Sequence, residues 1–283
     1  MDTFRDSIAI VTGGASGIGQ ALCEELARRG AVVVVTDVDE AGARSVAEGI
    51  ASEGGRASSR ALDVRDPEAV KRVVEETAAA HGRLDYMFNN AGLAVTGEIR
   101  DLSLEHWHKV VDVNLWGVIH GIAAAYPLMV RQRSGHIVNT ASLAGLLGIP
   151  CSSPYATTKF AVVGLSQSLR TEAEGLGVKV SVVCPSYIQT RIFEASTYVR
   201  SSKEDVLSLL TFKMMEVGEA VRQILHGVER NRALIVLPFY ARVLWWLSRL
   251  FPGMPLWLNG QAVRKFRKLR PAEDAAASRE RPA

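Results

Sequence analysis

The stretch Ser7–Gly19, S-I-A-I-V-T-G-G-A-S-G-I-G, decides the fold. Ser7 to Thr12 is a short β-branched run, Gly13 to Gly19 is glycine-rich, and a helical pattern follows from Gln20 to Arg29. That order reads as strand, glycine turn, helix. Glycines let the backbone approach a phosphate closely, and the helix start offers unpaired N–H groups at a positive dipole end. Gly13, Ser16, Gly17, Ile18 and Gly19 are therefore candidate cofactor contacts. Such a turn alone is weak evidence, but the next element strengthens it. Ala31–Thr36, A-V-V-V-V-T, is nearly all apolar, as expected of a parallel strand buried on both faces, and it ends in Asp37. About twenty residues past the turn, an acid is placed to accept hydrogen bonds from an adenosine ribose. Asp37 would repel a 2′-phosphate, and no Arg or Lys stands beside it in T-D-V-D-E or in the turn, so NAD is expected over NADP.

The alternation continues along the chain. A helix near 40–52 precedes a strand near 57–62 that ends at Asp63-Val64. A helix from Pro67 to about His81 leads to a strand over 84–88 that ends at Asn89-Asn90-Ala91-Gly92. Helical patterns over 103–131, a strand over 135–140, a helix to about Glu174 and a strand over 178–184 follow, and 233–237 is a last short strand. Strands and helices at this spacing imply an α/β fold, a single doubly wound domain over residues 1–237 with a parallel sheet covered on both faces. Ligands in such sheets bind beyond the carboxyl ends of the strands, where Gly13, Asp37, Asp63, Asn90, Ser142 and Pro185 all fall. Residues 190–212 are polar and mixed, and read as a mobile helical flap.

Within S-L-A-G-L-L-G-I-P-C-S-S-P-Y-A-T-T-K, residues 142–159, Pro154 precedes a run of helix formers. Tyr155 is expected to open a helix with Lys159 one turn along the same face, roughly 6 Å away. At that separation an ammonium favours the phenolate, so the pair suits proton transfer. Lys159 is expected to lower the pKa of Tyr155.

A formal net charge of +3 is too small to point to nucleic acid, because basic residues are dispersed until the last forty positions. Cys23, Cys151 and Cys184 are too widely spaced for a disulfide framework or a metal cluster, and read as reduced thiols in the cytoplasm. The six histidines show no ligand spacing, so no metal is expected. M-D-T-F-R-D-S leads straight into the first apolar run, so no secretory signal is expected.

With T-G-G-A-S-G-I-G at 12–19, N-N-A-G at 89–92, Asn114, Ser142 and Y-A-T-T-K at 155–159 in register, the chain resembles the short-chain dehydrogenases/reductases over roughly Ser7 to Leu237. The resemblance implies a seven-stranded Rossmann sheet, a nicotinamide cofactor and a catalytic tetrad of Asn114, Ser142, Tyr155 and Lys159. Tyr155 would be the general acid/base, Ser142 would hold the substrate oxygen, and Lys159 would reach the nicotinamide ribose. Asn114 would anchor a water, or on its own residues cap or kink a helix. Ala91, Gly92, Pro185, Ile188 and Thr190 would complete the cofactor site, the last two at the nicotinamide amide. Asp63 bonds the adenine amino group with Val64 beside the ring, or caps a turn; Asn90 braces the strand end. The family's Pro-Gly after the sixth strand is Pro185-Ser186 here. The resemblance also implies a homodimer or homotetramer built on helices near 103–131 and 155–174, the second carrying Phe160, Val163 and Leu169. The expected activity is hydride transfer between NAD(H) and a secondary alcohol or ketone; a catalytically idle nucleotide-binding scaffold is the alternative, against which the intact tetrad speaks.

Residues 238–270 form an apolar and basic extension, expected to be an amphipathic helical segment. It carries Tyr240, Trp245, Trp246 and Trp257, then Arg264, Lys265, Arg267, Lys268 and Arg270. It is too interrupted to be a spanning helix of about 20 apolar residues. Either it folds over the substrate cleft with its basic cluster solvated, or it lies in a membrane interface. Both imply a large apolar substrate such as a steroid, retinoid or other lipid. Residues 271–283 are small and charged, and are expected to be disordered.

Overall fold

The computed structural model describes residues 3–209 and 212–269. At its centre β1 (Ile8–Thr12) pairs in parallel with β2 (Val32–Asp37), from Ile8 against Val32 to Thr12 against Thr36. On one side of this pair lies β3 (Arg56–Ala61). On the other lie β4 (Tyr86–Asn89), β6 (Gly135–Thr140), β7 (Val178–Pro185) and β9 (Leu234–Leu237), giving the order β3-β2-β1-β4-β6-β7-β9. Every pairing is parallel, so all seven carboxyl ends face one edge. The chain reverses its direction across the sheet between β1 and β4, which opens a crevice there.

The apolar strands bury both faces. Val11, Val33 and Val35 pack with Leu22 of α1 (Gly17–Arg28), Val46 of α2 (Glu40–Ser52) and Val221 of α9 (Val217–Glu229). Ile10, Val34 and Met87 face the other way, onto Val73 of α3 (Pro67–His81) and Met129 of α5 (Gly117–Gln132). Helix boundaries follow local chemistry. The Asp66 carboxylate accepts from the N–H groups of Glu68 and Ala69, Pro67 opens α3, and Gly82 closes it at φ 74°.

The helical pattern over 103–131 is one continuous run, α4 (Leu104–Val111) joined to α5 through a π-helical turn at Asp112–Trp116. It is long and apolar enough to cross a membrane, yet its buried residues pack in the core. Next comes α6 (Ser153–Glu172), which starts two residues before Tyr155. The expected polar flap contains α7 (Ile192–Ala195), β8 (Thr197–Tyr198) and α8 (Lys203–Ser208), with β8 paired to β5 (Val95–Thr96) in a small second sheet. The extension is two helices, α10 (Phe239–Leu250) and α11 (Gly253–Lys268), because Pro252 interrupts it. Ala241 is buried against Val182 and Val236, and Phe266 is buried too. Arg270 and the tail 271–283 lie outside the described residues.

The expected oligomer face needs a correction. Val163 and Leu169 are buried within this chain, since the sheet and α5 already cover that side of α6, and only Phe160 of the three is exposed.

Candidate active site

A cavity of about 1180 Å³ runs along the carboxyl edge of the sheet. One small-molecule pocket is roughly 300–1,000 Å³, so this space suits two ligands side by side. At its β1 end the turn closes too tightly for side chains. A Cβ on Gly19 would lie 1.9 Å from the Gly13 carbonyl oxygen, and one on Gly13, at φ +66°, would lie 2.8 Å from Ala91 Cα. Ser16 caps α1 in an extended conformation without a side-chain bond to the helix. The first N–H groups of α1 therefore open toward the cavity, which Gly13, Ser16, Gly17 and Ile18 line, while Gly19 lies beneath as the close contact. This cradle fits the pyrophosphate of a dinucleotide.

Neighbouring strand ends are tied to the same turn. Asp37 accepts from the Ala15 and Asp39 N–H groups, each at 3.0 Å, so its carboxylate is fixed against the glycine turn. Asn90 donates from Nδ2 to the carbonyls of Thr12 (3.1 Å) and Gly13 (3.4 Å) and accepts from Thr140 Oγ1 (3.3 Å), which is the bracing role expected of it. Asp63 also lines the cavity, but Arg65 grips its carboxylate through 2.6 Å and 3.0 Å bonds and holds its pKa below the usual carboxylate range. Sequence reasoning missed Arg65, which sits two residues away. Val64 is buried and its carbonyl meets His120 Nδ1 at 2.8 Å. Thr190 lies over Gly17, 3.1 Å from where a Cβ would stand, and Pro185, Ile188, Ala91 and Gly92 line the same cavity.

Ser142, Tyr155 and Lys159 come together where β6, α6 and β7 meet. The Ser142 hydroxyl accepts from the Ala144 N–H (3.1 Å) and donates to the Pro185 carbonyl (3.3 Å). Lys159 is buried, donates from Nζ to the Thr140 carbonyl (2.8 Å) and stands 5.5 Å from the centre of the Tyr155 ring. Burial pulls its pKa down to about 8. Tyr155 departs from expectation. Burial raises its pKa above the ordinary phenol value, opposed by a hydrogen bond to Ser142, while the Lys159 ammonium faces the ring and bonds the Thr140 carbonyl. Asn114 is fully buried in the π turn: Oδ1 accepts from the Leu93 N–H and Nδ2 donates to the Leu93 carbonyl, both at 2.9 Å. A Cβ on Gly92 would lie 3.4 Å from Asn114 Oδ1 and 3.5 Å from Lys159 Nζ, so Asn114 packs close to Lys159, but of the four only Ser142, Tyr155 and Lys159 line the cavity.

Residues 7–199 match the short chain dehydrogenase family. The chain belongs to that family. It is 33% identical over 280 residues to "Probable oxidoreductase EphD" of Mycobacterium tuberculosis, covering 94% of this chain and 45% of that protein, so it spans about half the length of that relative. It is 36% identical over 203 residues to a cyclohexanol dehydrogenase of Acinetobacter, covering 70% of this chain and 80% of that one. A short-chain dehydrogenase/reductase of Burkholderia phymatum, solved in complex with NAD, superposes with a TM-score of 0.83 at 27% identity, over 91% of this chain and 97% of that one.

The family match ends at Val199, and the roof of the cavity lies beyond it. Tyr240 of α10 donates to the Ser186 hydroxyl at 3.1 Å and stacks on Phe212 of the flap at 4.4 Å and 9°. The hydroxyl that replaces the family's glycine thus gives the extension a foothold on the cofactor loop. Arg267 of α11 grips the buried Glu98 carboxylate at 2.8 Å and 3.1 Å, and Arg267 first, with Arg100, holds that carboxyl below its usual pKa. Asn259 donates to the Gly148 carbonyl at 2.6 Å. The basic cluster is therefore not merely solvated: one of its members closes the lid. Cys151 also lines the cavity.

Proposed function

We propose that the protein is an NAD-preferring dehydrogenase of a large apolar secondary alcohol or of the corresponding ketone. The observation that carries this reading is the composition of the cavity: Tyr155, Ser142 and Lys159 stand at its floor, while Leu147, Ile149, Tyr187, Leu244, Met254 and Phe266 line the half away from the glycine turn. A bound nicotinamide supplies the hydride acceptor in oxidation and the donor in reduction. The Ser142 hydroxyl is available to the substrate oxygen, where it stabilises developing negative charge. In reduction the Tyr155 hydroxyl proton passes to that oxygen; in oxidation it returns to Tyr155. Lys159, with a pKa of about 8, is still mostly cationic at neutral pH and supports the Tyr155 phenolate in oxidation. Asn114 positions the π turn and Leu93 beside Lys159.

Asp37 supports the preference for NAD, since its fixed carboxylate would meet a 2′-phosphate with like charge. Cys23, Cys151 and Cys184 form no disulfide among the described residues, which supports a reducing, cytoplasmic setting. Exposed Leu104, Trp116 and Phe160 on α4–α6 and the turn between them are an apolar surface suited to a second copy, and light scattering at micromolar concentration should report a dimer or larger.

The deciding assay follows reduced nicotinamide across secondary alcohols and ketones of increasing size, with NAD and with NADP. Catalytic efficiency should rise with apolar bulk and be higher with NAD. Turnover confined to small polar alcohols would sink the substrate class, and NADH binding without turnover on any of them would favour a non-catalytic binding role.

A further inference from the structure

The inner faces of α10 and α11 line the cavity, but their outer faces are apolar too. On α10, Phe239, Val243, Trp246, Leu247 and Leu250 follow i, i+4, i+7, i+8, i+11, a single helical stripe. All five are exposed, Phe239 at 72%, Trp246 at 55% and Leu250 at 69%. The stripe continues through Phe251 to Leu256 (75%) and Trp257 (65%) at the start of α11. Burying such side chains is favourable, and monomeric proteins rarely leave so many together in water.

Charge says what covers them. From Pro238 to Ala272 the chain carries seven Arg or Lys and no Asp or Glu, in a protein whose net charge is only +3. Arg242 and Arg249, one heptad apart, flank the α10 stripe, and Arg264 and Lys268 lie seven and eleven residues beyond Trp257, on its face of α11. A two-fold contact between copies would press each cation set onto its like. The exposed face on α4–α6 has no such cluster, with Glu105 and Asp112 among its residues. Neither helix spans a bilayer: 12 and 16 residues reach about 18 and 24 Å, short of a hydrocarbon core of about 30 Å.

We propose that the outer face of α10 and α11 docks in the plane of an anionic phospholipid membrane, with the aromatic stripe in the interface and the basic residues on the headgroups. The roof of the cavity is then the membrane-facing surface, and Leu258, which is exposed and also lines the cavity, stands at the boundary between the two. Docking itself does not depend on the catalytic reading, so it is tested without turnover.

The experiment sediments the full chain with vesicles of phosphatidylcholine alone and of phosphatidylcholine containing phosphatidylglycerol, at low and high salt, while following tryptophan emission. Binding should require the anionic lipid, weaken with salt and shift the emission to the blue. Trp246→Glu/Trp257→Glu and Arg264→Glu/Lys268→Glu should each weaken binding by about tenfold or more with an unchanged melting temperature, because all four side chains are exposed. No binding to anionic vesicles at low salt overturns the proposal, and so does wild-type affinity in the tryptophan variant. A wild-type dimer that Trp246→Glu/Trp257→Glu disperses, with no vesicle binding, would assign the face to a second copy instead.

Discussion

At the cofactor end of the cavity, Asp37 and Asn90 are fastened by backbone groups of the glycine turn and of β1, all within one strand end of each other. At the substrate end the ties join positions far apart in the chain: Tyr240 to Ser186, Asn259 to Gly148 and Arg267 to Glu98. The first end is fixed by main-chain geometry that few substitutions could preserve. The second is a roof pinned at a few points, and since Arg267 is more than half exposed its ion pair is worth at most about 1 kcal/mol. One scaffold thus has a rigid main-chain cradle at one end of the cavity and a roof pinned at a few side chains at the other.

Tyr155 stands at the seam, so Tyr155→Phe breaks the chemistry without touching either end. Turnover should fall by about 10²-fold or more while NADH affinity, read by fluorescence, stays the same. Near-normal turnover would remove Tyr155 from its role.

A pair of glycine substitutions tests the rigidity directly. Gly19→Ala forces a methyl against the Gly13 carbonyl, and should cost about 1–3 kcal/mol of stability and weaken NADH binding. Gly260→Ala in α11, where nothing lies within 4 Å of the added carbon, should be neutral or stabilise by about 0.5–1 kcal/mol. Equal melting temperatures for the two variants would erase the contrast.

Asp37→Ser removes the carboxylate but leaves a hydroxyl, and the NAD-to-NADP ratio of kcat/KM should drop by about tenfold or more. A ratio near one already in the wild type would show that Asp37 does not select.

The smallest effect is expected at Glu98→Gln, which loosens α11: KM for a bulky substrate should rise a few-fold with cofactor affinity untouched. Because the Glu98 pKa is lowered in the folded protein, its stabilising contribution is present above the ordinary carboxylate range and is lost as pH falls through the lowered value. Proteolysis of α11 should therefore quicken in acid in the wild type and not in Glu98→Gln. A matching loss of cofactor affinity would mean the two ends are coupled.

Ser7–Gly19, the valine-rich strand and Y-A-T-T-K made the fold, the dinucleotide cradle and the Tyr155–Lys159 pair legible, because strand periodicity, glycine geometry and a one-turn helical spacing are local properties of the chain; Asn114 and Ser142 entered only through the family resemblance. The seven strands and their common edge followed from the same alternation. What lay beyond the sequence was long-range. Whether Val163 faces a partner or its own core depends on what packs against α6, and whether the Tyr155 pKa is raised depends on what encloses its hydroxyl. That Ser186, in place of glycine, receives Tyr240 from 54 residues away, and that Arg267 closes on Glu98 from 169 residues away, could only be decided once the tertiary fold brought them within hydrogen-bond reach, since no local pattern encodes a contact between distant side chains.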